Sequence, residues 1–388
     1  MSAPPLRLGV VGVGALMLRA LLPHLTQSDV RDAVVVEALC DPVHERAQAA
    51  ARDYGVPKAY ASLGELLADD EIDAVTLASP IGLHAEHGRL ALEAGKHVHF
   101  NKTMSTTVAE ADALIALAEQ KGLRIVASPG EVLRPQITRT RELIAEGAIG
   151  KVSWAICGCA FGRYHEQEEP ERMAGSAGAI DPSWYFKKPG GGPLYDMTAY
   201  ALHGLTSVLG PAKRVTALSG IVLPQREFGG RSIAAEMDDN TVALLDFGEG
   251  AFAVAHGTAG GTVIEDFAAA CYFGTDGEIR GVLLDGEPFD FPGRELTLGA
   301  PPSDWDMQMR VLPHVVGPHR EIPESHVFED VMQLVEWVRE GKPTPVTAEH
   351  ARHVIDIIES TYRSAETGST ERLATTFEWP HALAQAAL

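Results

Sequence analysis

An alternation of short β-type runs with helical patterns between residues 6 and 128 constrains the fold more than any other feature of the sequence. Strands are predicted at residues 6–11, 33–40, 74–78, 97–100 and 124–127, and helices at residues 16–25, 43–54, 63–68, 85–94 and 108–121. The strand segments are nearly continuous in Val, Leu, Ile and Ala, as is typical when helices cover both faces of a sheet. The pattern therefore predicts a doubly wound α/β fold with a parallel sheet.

A second domain is predicted after Ser128, where the pattern changes. Residues 151–161 alternate like a strand of a different sheet, and residues 215–291 contain strand-length runs separated by Gly and Asp turn signals. This part is expected to be antiparallel, with helices at residues 134–147, 196–209, 326–340 and 348–364. The 388 residues therefore divide into a first domain of residues 1–128 and a second of residues 129–388.

Composition excludes several classes of protein. The chain has 32 Lys and Arg against 53 Asp and Glu, a net charge of −21, which argues against nucleic-acid and anionic-membrane partners. Four scattered cysteines are too few for a disulfide framework, and the pair Cys157 and Cys159 has no second pair with which to bind a metal. The longest apolar run, residues 8–18, is too short to span a bilayer. We expect a cytoplasmic protein without a metal site.

The segment between the first strand and the first helix contains two closely spaced glycines, Gly12 and Gly14, followed by Ala15 and Leu16. In dinucleotide-binding folds one glycine makes the tight turn, and the next lets the backbone approach a pyrophosphate at the helix N-terminus. Met17 occupies the place of the third glycine of that fingerprint. The context predicts a nucleotide site, although the glycines alone also fit an ordinary turn.

Asp41 ends the second predicted strand, where an acid accepts hydrogen bonds from a ribose 2′-hydroxyl and repels a 2′-phosphate. Pro42 and Val43 follow it, so we expect no Arg or Lys at the place where a 2′-phosphate would bind. We therefore expect NAD rather than NADP as the cofactor. The alternative is that Asp41 only caps the next helix.

Four stretches together resemble the Gfo/Idh/MocA oxidoreductase family. They are Ser79-Pro80-Ile81-Gly82-Leu83-His84, residues 94–103, residues 190–196 and residues 347–368. Two departures stand out: the family's Glu-Lys-Pro is Asn101-Lys102-Thr103 here, and Tyr200 stands four residues after Asp196 where the family has a histidine. The resemblance implies a Rossmann domain and a C-terminal α/β domain with a large, mostly antiparallel open sheet. It also implies a homodimer or homotetramer packed through that sheet.

The resemblance also implies which residues form the site. Cofactor contacts are expected at Gly12, Gly14, Ala15, Leu16, Asp41, Ser79, Pro80, His84, Asn101 and Lys102. Lys102, at the carboxyl end of a strand, is the first candidate for acid/base catalysis, with Tyr200 or His203 as its partner and Asp196 as the orienting group. Asp196, Tyr200 and His203 are spaced i, i+4 and i+7 and so are expected on one helical face. Arg163 and His165 are candidates for binding substrate hydroxyls.

The expected function is NAD-dependent hydride transfer to or from a secondary alcohol of a sugar, a sugar derivative or a cyclitol. One alternative within the family is glycoside cleavage by transient oxidation and elimination, with NAD recycled. A second alternative is a non-catalytic regulator that binds NAD and a sugar. The bland alternatives for the site are that Tyr200 and His203 are core residues and that Arg163 and His165 lie in a solvated loop.

Overall fold

The computed structural model describes residues 3–166, 180–261, 263–264, 270–298 and 309–378. A parallel sheet is formed by β1 (Leu6–Val11), β2 (Val34–Cys40), β3 (Lys58–Tyr60), β4 (Ala74–Leu77), β5 (His97–Phe100) and β6 (Ile125–Ala127). Its strand order is β3-β2-β1-β4-β5-β6, so the chain reverses direction of winding between β1 and β4. Ligand crevices of open α/β sheets lie at such a point. The doubly wound parallel sheet expected from the sequence is confirmed.

Helices cover both faces of this sheet. They are a π-helical turn (Met17–Leu21) continued by α1 (Leu22–Leu25), and then α2 (His44–Tyr54), α3 (Leu63–Leu67), α4 (His84–Glu93) and α5 (Val108–Lys121). Strand β3 was not predicted, because its three half-buried residues at the sheet edge carry no hydrophobic pattern. No helix in the described part of the chain has the length and apolar character that crossing a bilayer requires.

The second sheet contains nine strands and is mostly antiparallel. Its strands are β7 (Val152–Ala160), β8 (Arg214–Gly220), β11 (Asn240–Gly248), β12 (Ala251–Thr258), β13 (Cys271–Gly274), β14 (Glu278–Arg280), β15 (Leu283–Leu284), β16 (Glu287–Pro288) and β17 (Glu371–Arg372). A separate hairpin is formed by β9 (Gln225–Phe228) and β10 (Arg231–Ala234). The parallel pairing of β7 with β12 is the exception to the antiparallel pattern.

The helices after residue 128 connect the two sheets. They are α6 (Pro135–Ala145), α7 (Ala199–Leu209), α8 (Ser325–Glu340) and α9 (Ala348–Thr367). Helix α8 packs back on the first sheet, where Phe328 joins Leu8 in one buried cluster. Helix α9 is buried on two sides, with Ile355 in a core of the first sheet and Ile358 in the core of the second. Packing of this kind fixes the position of one sheet relative to the other.

One face of the nine-stranded sheet is apolar and exposed. Trp154, Val242, Leu244 and Phe252 all expose more than two fifths of their surface, and Leu218 exposes 81%. The strand register places Phe252 opposite Trp154 and Val242 opposite Leu218, so these side chains form one continuous surface across four strands. Contiguous apolar patches of this kind mark interaction sites.

Candidate active site

The loop after β1 lies against the loop after β4. Gly12 has φ +89°, and a Cβ on it would lie 2.7 Å from the backbone oxygen of Ala78. Its N–H donates to the carbonyl of Cys40 at 2.8 Å, so this residue also contacts the end of β2. A glycine is therefore required here, both for its backbone conformation and for close approach.

The residues after Gly12 fit a dinucleotide. A Cβ on Gly14 would meet no protein atom within 4 Å, so this glycine faces open space at the start of the first helix. Ala15 and Leu16 belong to the first helical turn, whose N–H groups have no carbonyl partners within the helix. Open space in front of unpaired amide donors at a helix N-terminus suits a pyrophosphate.

Asp41 is 3% exposed, and neighbouring groups hold its carboxylate in place. Its carboxylate accepts from the Val13 N–H at 2.9 Å and from the Val43 N–H at 2.9 Å. The guanidinium of Arg46 also lies 3.2 Å from Asp41 Oδ1. The expectation that no basic residue lies at this place is therefore wrong, because the first turn of α2 brings Arg46 back to the carboxylate.

His84 connects the loops that follow β4 and β5. Its Nδ1 lies 2.7 Å from the carbonyl oxygen of Thr103, and its Nε2 lies 2.7 Å from that of Ser79. Burial lowers the pKa of His84 to about 4, against the two carbonyl acceptors that favour the charged ring. Because a neutral imidazole carries one N–H, the ring donates to one carbonyl at a time. His84 was expected to contact the cofactor. In the structure it connects two loops of the site.

The other expected cofactor contacts lie on the same loops. Pro80 is exposed and precedes a short turn, Ile81–Leu83. Asn101 is buried, and its side-chain oxygen accepts from the Lys102 N–H at 2.7 Å. The Asn101 side chain therefore orders the turn that carries the lysine.

Lys102, Asp196 and His165 meet, although they come from three separate segments. Lys102 follows β5, Asp196 lies in a π-helical turn (Leu194–Thr198) that precedes α7, and His165 lies in a 3₁₀ turn (Tyr164–Glu166) after β7. The Lys102 ammonium donates to Asp196 Oδ1, and His165 Nε2 lies 3.0 Å from Asp196 Oδ2. The carboxylate therefore accepts from both sides.

The electrostatics of Asp196 follow from these two contacts. Burial alone would raise the pKa of this carboxyl, but the charge of Lys102 and the hydrogen bond from His165 outweigh burial and hold the pKa well below its usual range. Asp196 is consequently ionised at neutral pH and can only accept hydrogen bonds.

Tyr200 flanks Lys102 but directs its hydroxyl elsewhere. The Lys102 Nζ lies 5.4 Å from the centre of the Tyr200 ring, which suits a cation–π contact. The Tyr200 hydroxyl lies 3.0 Å from Nε2 of His326 on α8. Burial raises the pKa of Tyr200 well above 10, so the hydroxyl keeps its proton at neutral pH.

His203 is buried in α7, and the expectation that it lies on one helical face with Asp196 stays a prediction. Its ring packs against His350 of α9 with 4.6 Å between ring centres, and burial lowers its pKa to about 3. Asp196 itself lies in the π-helical turn at Leu194–Thr198, whose i→i+5 bonds take up more residues per turn than an α-helix.

A small cleft lies beside the Asp196 cluster. Arg163, His165, Tyr185, Met197 and Arg226 are among the residues that line it. His165 is 9% exposed and is therefore not part of a solvated loop. Arg163 remains half exposed and forms an ion pair with Glu166.

Two residues near the site were missed from sequence. Arg226 is fully buried, and it contacts both Glu166 and Asp239. Tyr185 packs on His165 with 3.5 Å between ring centres. Neither residue lies in a motif, so no local signal in the sequence points to them.

Two family models together match more than half of the chain. Residues 6–128 match the oxidoreductase family with an NAD-binding Rossmann fold, and residues 137–280 match the GFO/IDH/MocA C-terminal domain. Both halves thus match the same family.

Relatives with assigned activities act on cyclitols and sugars. A scyllo-inositol 2-dehydrogenase (NADP⁺) of Bacillus subtilis is 26% identical, with 93% of this chain and 94% of that protein covered. A myo-inositol 2-dehydrogenase of Thermotoga maritima is 24% identical, with 89% and 92% covered. An uncharacterised oxidoreductase of Rhizobium meliloti is 30% identical over 55% of this chain and 60% of its own length.

Solved structures show the same fold. An oxidoreductase from Thermotoga maritima superposes with a TM-score of 0.71 at 20% identity, covering 95% of this chain and 99% of that one. An oxidoreductase from Agrobacterium radiobacter in complex with NAD⁺, L-tartaric acid and magnesium gives a TM-score of 0.68 at 18% identity, covering 95% and 98%. At these identities the likeness concerns the fold alone.

The two loop glycines generate a prediction that separates folding from binding. In Gly12→Ala, the φ of +89° and the 2.7 Å approach to Ala78 should cost roughly 1–3 kcal/mol of unfolding free energy and weaken NADH binding. In Gly14→Ala, the new methyl group meets no protein atom but occupies the space in front of the helix. It should therefore weaken NADH binding and leave the thermal midpoint of the free protein unchanged. Thermal denaturation and fluorescence titration with NADH measure both effects; wild-type NADH affinity in both variants would place the dinucleotide elsewhere.

Proposed function

The chain belongs to the Gfo/Idh/MocA oxidoreductase family, and from that premise we propose that it transfers a hydride between a nicotinamide dinucleotide and a secondary alcohol of a sugar, a sugar derivative or a cyclitol. The observation that carries the proposal is the pairing of Lys102 with Asp196. This pair lies at the carboxyl end of β5, two strands from the glycine loop at the end of β1. Relatives named as inositol dehydrogenases support the substrate class.

Lys102 and Asp196 have different roles in the proposed reaction. A bound nicotinamide supplies the acceptor or donor of the hydride. Lys102 donates a hydrogen bond to the oxygen of the alcohol and stabilises the negative charge that develops there as the proton leaves. Asp196 stays ionised and fixes the direction of the ammonium, while the Tyr200 ring covers one side of it. The neighbouring cleft, lined by polar and aromatic side chains, is where we place the rest of the substrate.

We propose NAD as the cofactor, with discrimination against NADP by Asp41. A carboxylate at the end of β2 repels a 2′-phosphate and accepts from ribose hydroxyls. Arg46 opposes this preference, since its guanidinium lies 3.2 Å from the same carboxylate and is a group that binds phosphate. The choice between NAD and NADP therefore depends on two opposing groups: Asp41, which repels a 2′-phosphate, and Arg46, which can bind one.

We also propose that the protein is a homo-oligomer that buries the exposed face of the nine-stranded sheet. The occupant we assign to this face is a second copy of the chain. Trp154, Leu218, Leu244 and Phe252 form a single apolar surface on one side of the sheet. A flat patch that runs along strands suits the isologous contact of a twofold dimer, in which the same patch serves both subunits.

Replacing the lysine tests the reaction. In Lys102→Met, loss of the ammonium should lower kcat/KM for polyol oxidation by about 10²–10⁴-fold. Lys102→Arg keeps the charge but changes its geometry and should show an intermediate loss. Lys151→Met, at an exposed position before β7, is the matched control and should be fully active. A wild-type protein that binds NADH and sugars but turns over no polyol, aldose or glycoside would instead fit a regulator.

Replacing the acid tests the cofactor choice. Asp41→Ser removes the repulsion towards a 2′-phosphate and leaves Arg46 in place. The ratio of kcat/KM for NADP to that for NAD should rise by at least about tenfold, which corresponds to ~1.4 kcal/mol. Adding Arg46→Ala to this variant should reverse the gain. Steady-state kinetics with both cofactors give the ratio, and an unchanged ratio in Asp41→Ser would refute the role of the carboxylate.

Charging the sheet face tests the assembly. Leu244→Glu places a carboxylate in the centre of the apolar face and should convert a wild-type dimer or tetramer into a monomer. Val316→Glu also replaces a half-exposed aliphatic side chain, but outside the sheet, and should leave the oligomer intact. Sedimentation equilibrium reports the mass of each variant. A monomeric wild type, or an oligomer that survives Leu244→Glu, would contradict the proposal.

A further inference from the structure

We propose that His165 is a catalytic residue of this site, which takes the hydroxyl proton of the alcohol at its Nδ1 atom during oxidation and returns it during reduction. The inference rests on the proposed function and adds the group that receives the proton. It starts from geometry, because His165 contacts Asp196 with one edge of its ring and lines the adjacent cleft.

The contact with Asp196 determines which nitrogen of His165 is basic. Nε2 lies 3.0 Å from Asp196 Oδ2, and an ionised carboxylate has no hydrogen to give. Nε2 must therefore carry the hydrogen, which places the basic lone pair of the neutral ring on Nδ1. A carboxylate that fixes the tautomer of a histidine and stabilises its charged form is the arrangement that prepares a general base.

The ring of His165 is held in place from two sides. Tyr185 packs against it with 3.5 Å between ring centres. The turn that carries it is anchored by Glu166, whose carboxylate lies 2.7 Å from Arg226 Nη1. Arg226 is 1% exposed and also contacts Asp239 at 2.6 Å. A buried ion pair that is completed on both sides restrains the turn, and a restrained ring meets the positional demand of proton transfer.

The other candidates of the sequence do not provide such a base. Tyr200 keeps its proton because burial raises its pKa well above 10, and its hydroxyl contacts His326. His203 packs against His350, and burial lowers its pKa to about 3. Tyrosine replaces histidine at the usual helical position, and the imidazole is supplied from the turn after β7 instead.

An acidic, a basic and two aromatic side chains lie around His165. Asp196 lies at Nε2, with Lys102 behind it, and Tyr164 and Tyr185 pack on the ring. Burial raises the pKa of Tyr185 well above 10, so that side chain is neutral in the working range. The charged side chains of Glu166 and Arg163, on the same turn, pair with each other. Among the described residues, Asp196 is a charged group that contacts the imidazole directly, at Nε2.

The proposed oxidation needs no reactant other than the alcohol and the dinucleotide. In oxidation, the O–H bond breaks and its proton goes to Nδ1 of His165, while the electron pair of the C–H bond leaves with hydrogen as hydride to the oxidised nicotinamide. The oxygen lone pair forms the carbonyl double bond. Lys102 donates to the oxygen throughout, and Asp196 stabilises the imidazolium. The proton then passes to water, and the reverse sequence reduces a ketone.

His165→Gln is the variant that isolates proton transfer. Its amide nitrogen can still donate to Asp196, but it has no basic lone pair. We expect kcat to fall by about 10²–10⁴-fold, with NADH affinity unchanged. The fall of kcat/KM towards acid pH, which in the wild type reports protonation of the imidazole, should disappear. His44→Gln, in α2 with its ring against Gln48, is the matched control and should behave as wild type. His165→Asn serves as a second variant if the first does not fold.

A spectroscopic measurement on the free protein gives an independent answer. Long-range ¹H–¹⁵N spectra of ¹⁵N-histidine-labelled protein at pH 8 should show His165, identified by its absence from the His165→Gln spectrum, with hydrogen on Nε2 and none on Nδ1. Asp196→Asn should abolish that preference. A hydrogen on Nδ1 overturns the inference regardless of activity. Wild-type kcat in His165→Gln, together with the loss in Lys102→Met, overturns the inference and leaves the proposed function intact. Inactivity of the wild type towards every alcohol refutes both.

Discussion

The carboxylate of Asp196 is the interaction on which the site depends. It accepts from Lys102 of the first sheet and from His165 of the second, so three segments meet at two oxygen atoms. A buried carboxylate without partners would cost several kcal/mol, and for this reason neither partner can move away without a penalty. The same two contacts that keep Asp196 ionised thus align the end of β5 with the turn after β7. The two hydrogen bonds of Asp196 therefore stabilise its charge and also set the geometry of the site.

Most of the first sheet could be predicted from sequence because its signals are local. Strands β1 and β5 and helix α5 have the predicted bounds, since each is set by hydrophobic periodicity and by turn or cap residues at its ends. Strand β3 was missed because three residues paired on one side only need no such pattern. The contact of Arg46 with Asp41 was missed for another reason: it depends on how α2 leaves the sheet, which the spacing of the two residues does not reveal.

Some features of the candidate site follow from local sequence patterns, and others depend on tertiary packing. Lys102 and Asp196 were found because a strand end and a helix start place them. The π-helical turn that carries Asp196 was not predicted, because it has no signature in the sequence. His165 was undervalued because its burial arises from Tyr185 and from the buried Arg226, both distant in sequence. Tertiary packing decides these features, and single-sequence patterns report only local preference.

Helix α9 shows why the two halves of the site stay in register. An amphipathic helix normally buries one stripe and exposes the other, but α9 buries Ile355 against the first sheet and Ile358 against the second. In addition, Gly82 and Gly190 let the loop after β4 touch the backbone near Pro189, and a Cβ on Gly82 would lie 2.6 Å from the Pro189 oxygen. The part of the chain that forms the first sheet thus contacts the later part both through a shared helix and through this glycine contact. A junction held at two separated places resists rotation about either one, and the distances around Asp196 can therefore be set by the fold before any ligand binds.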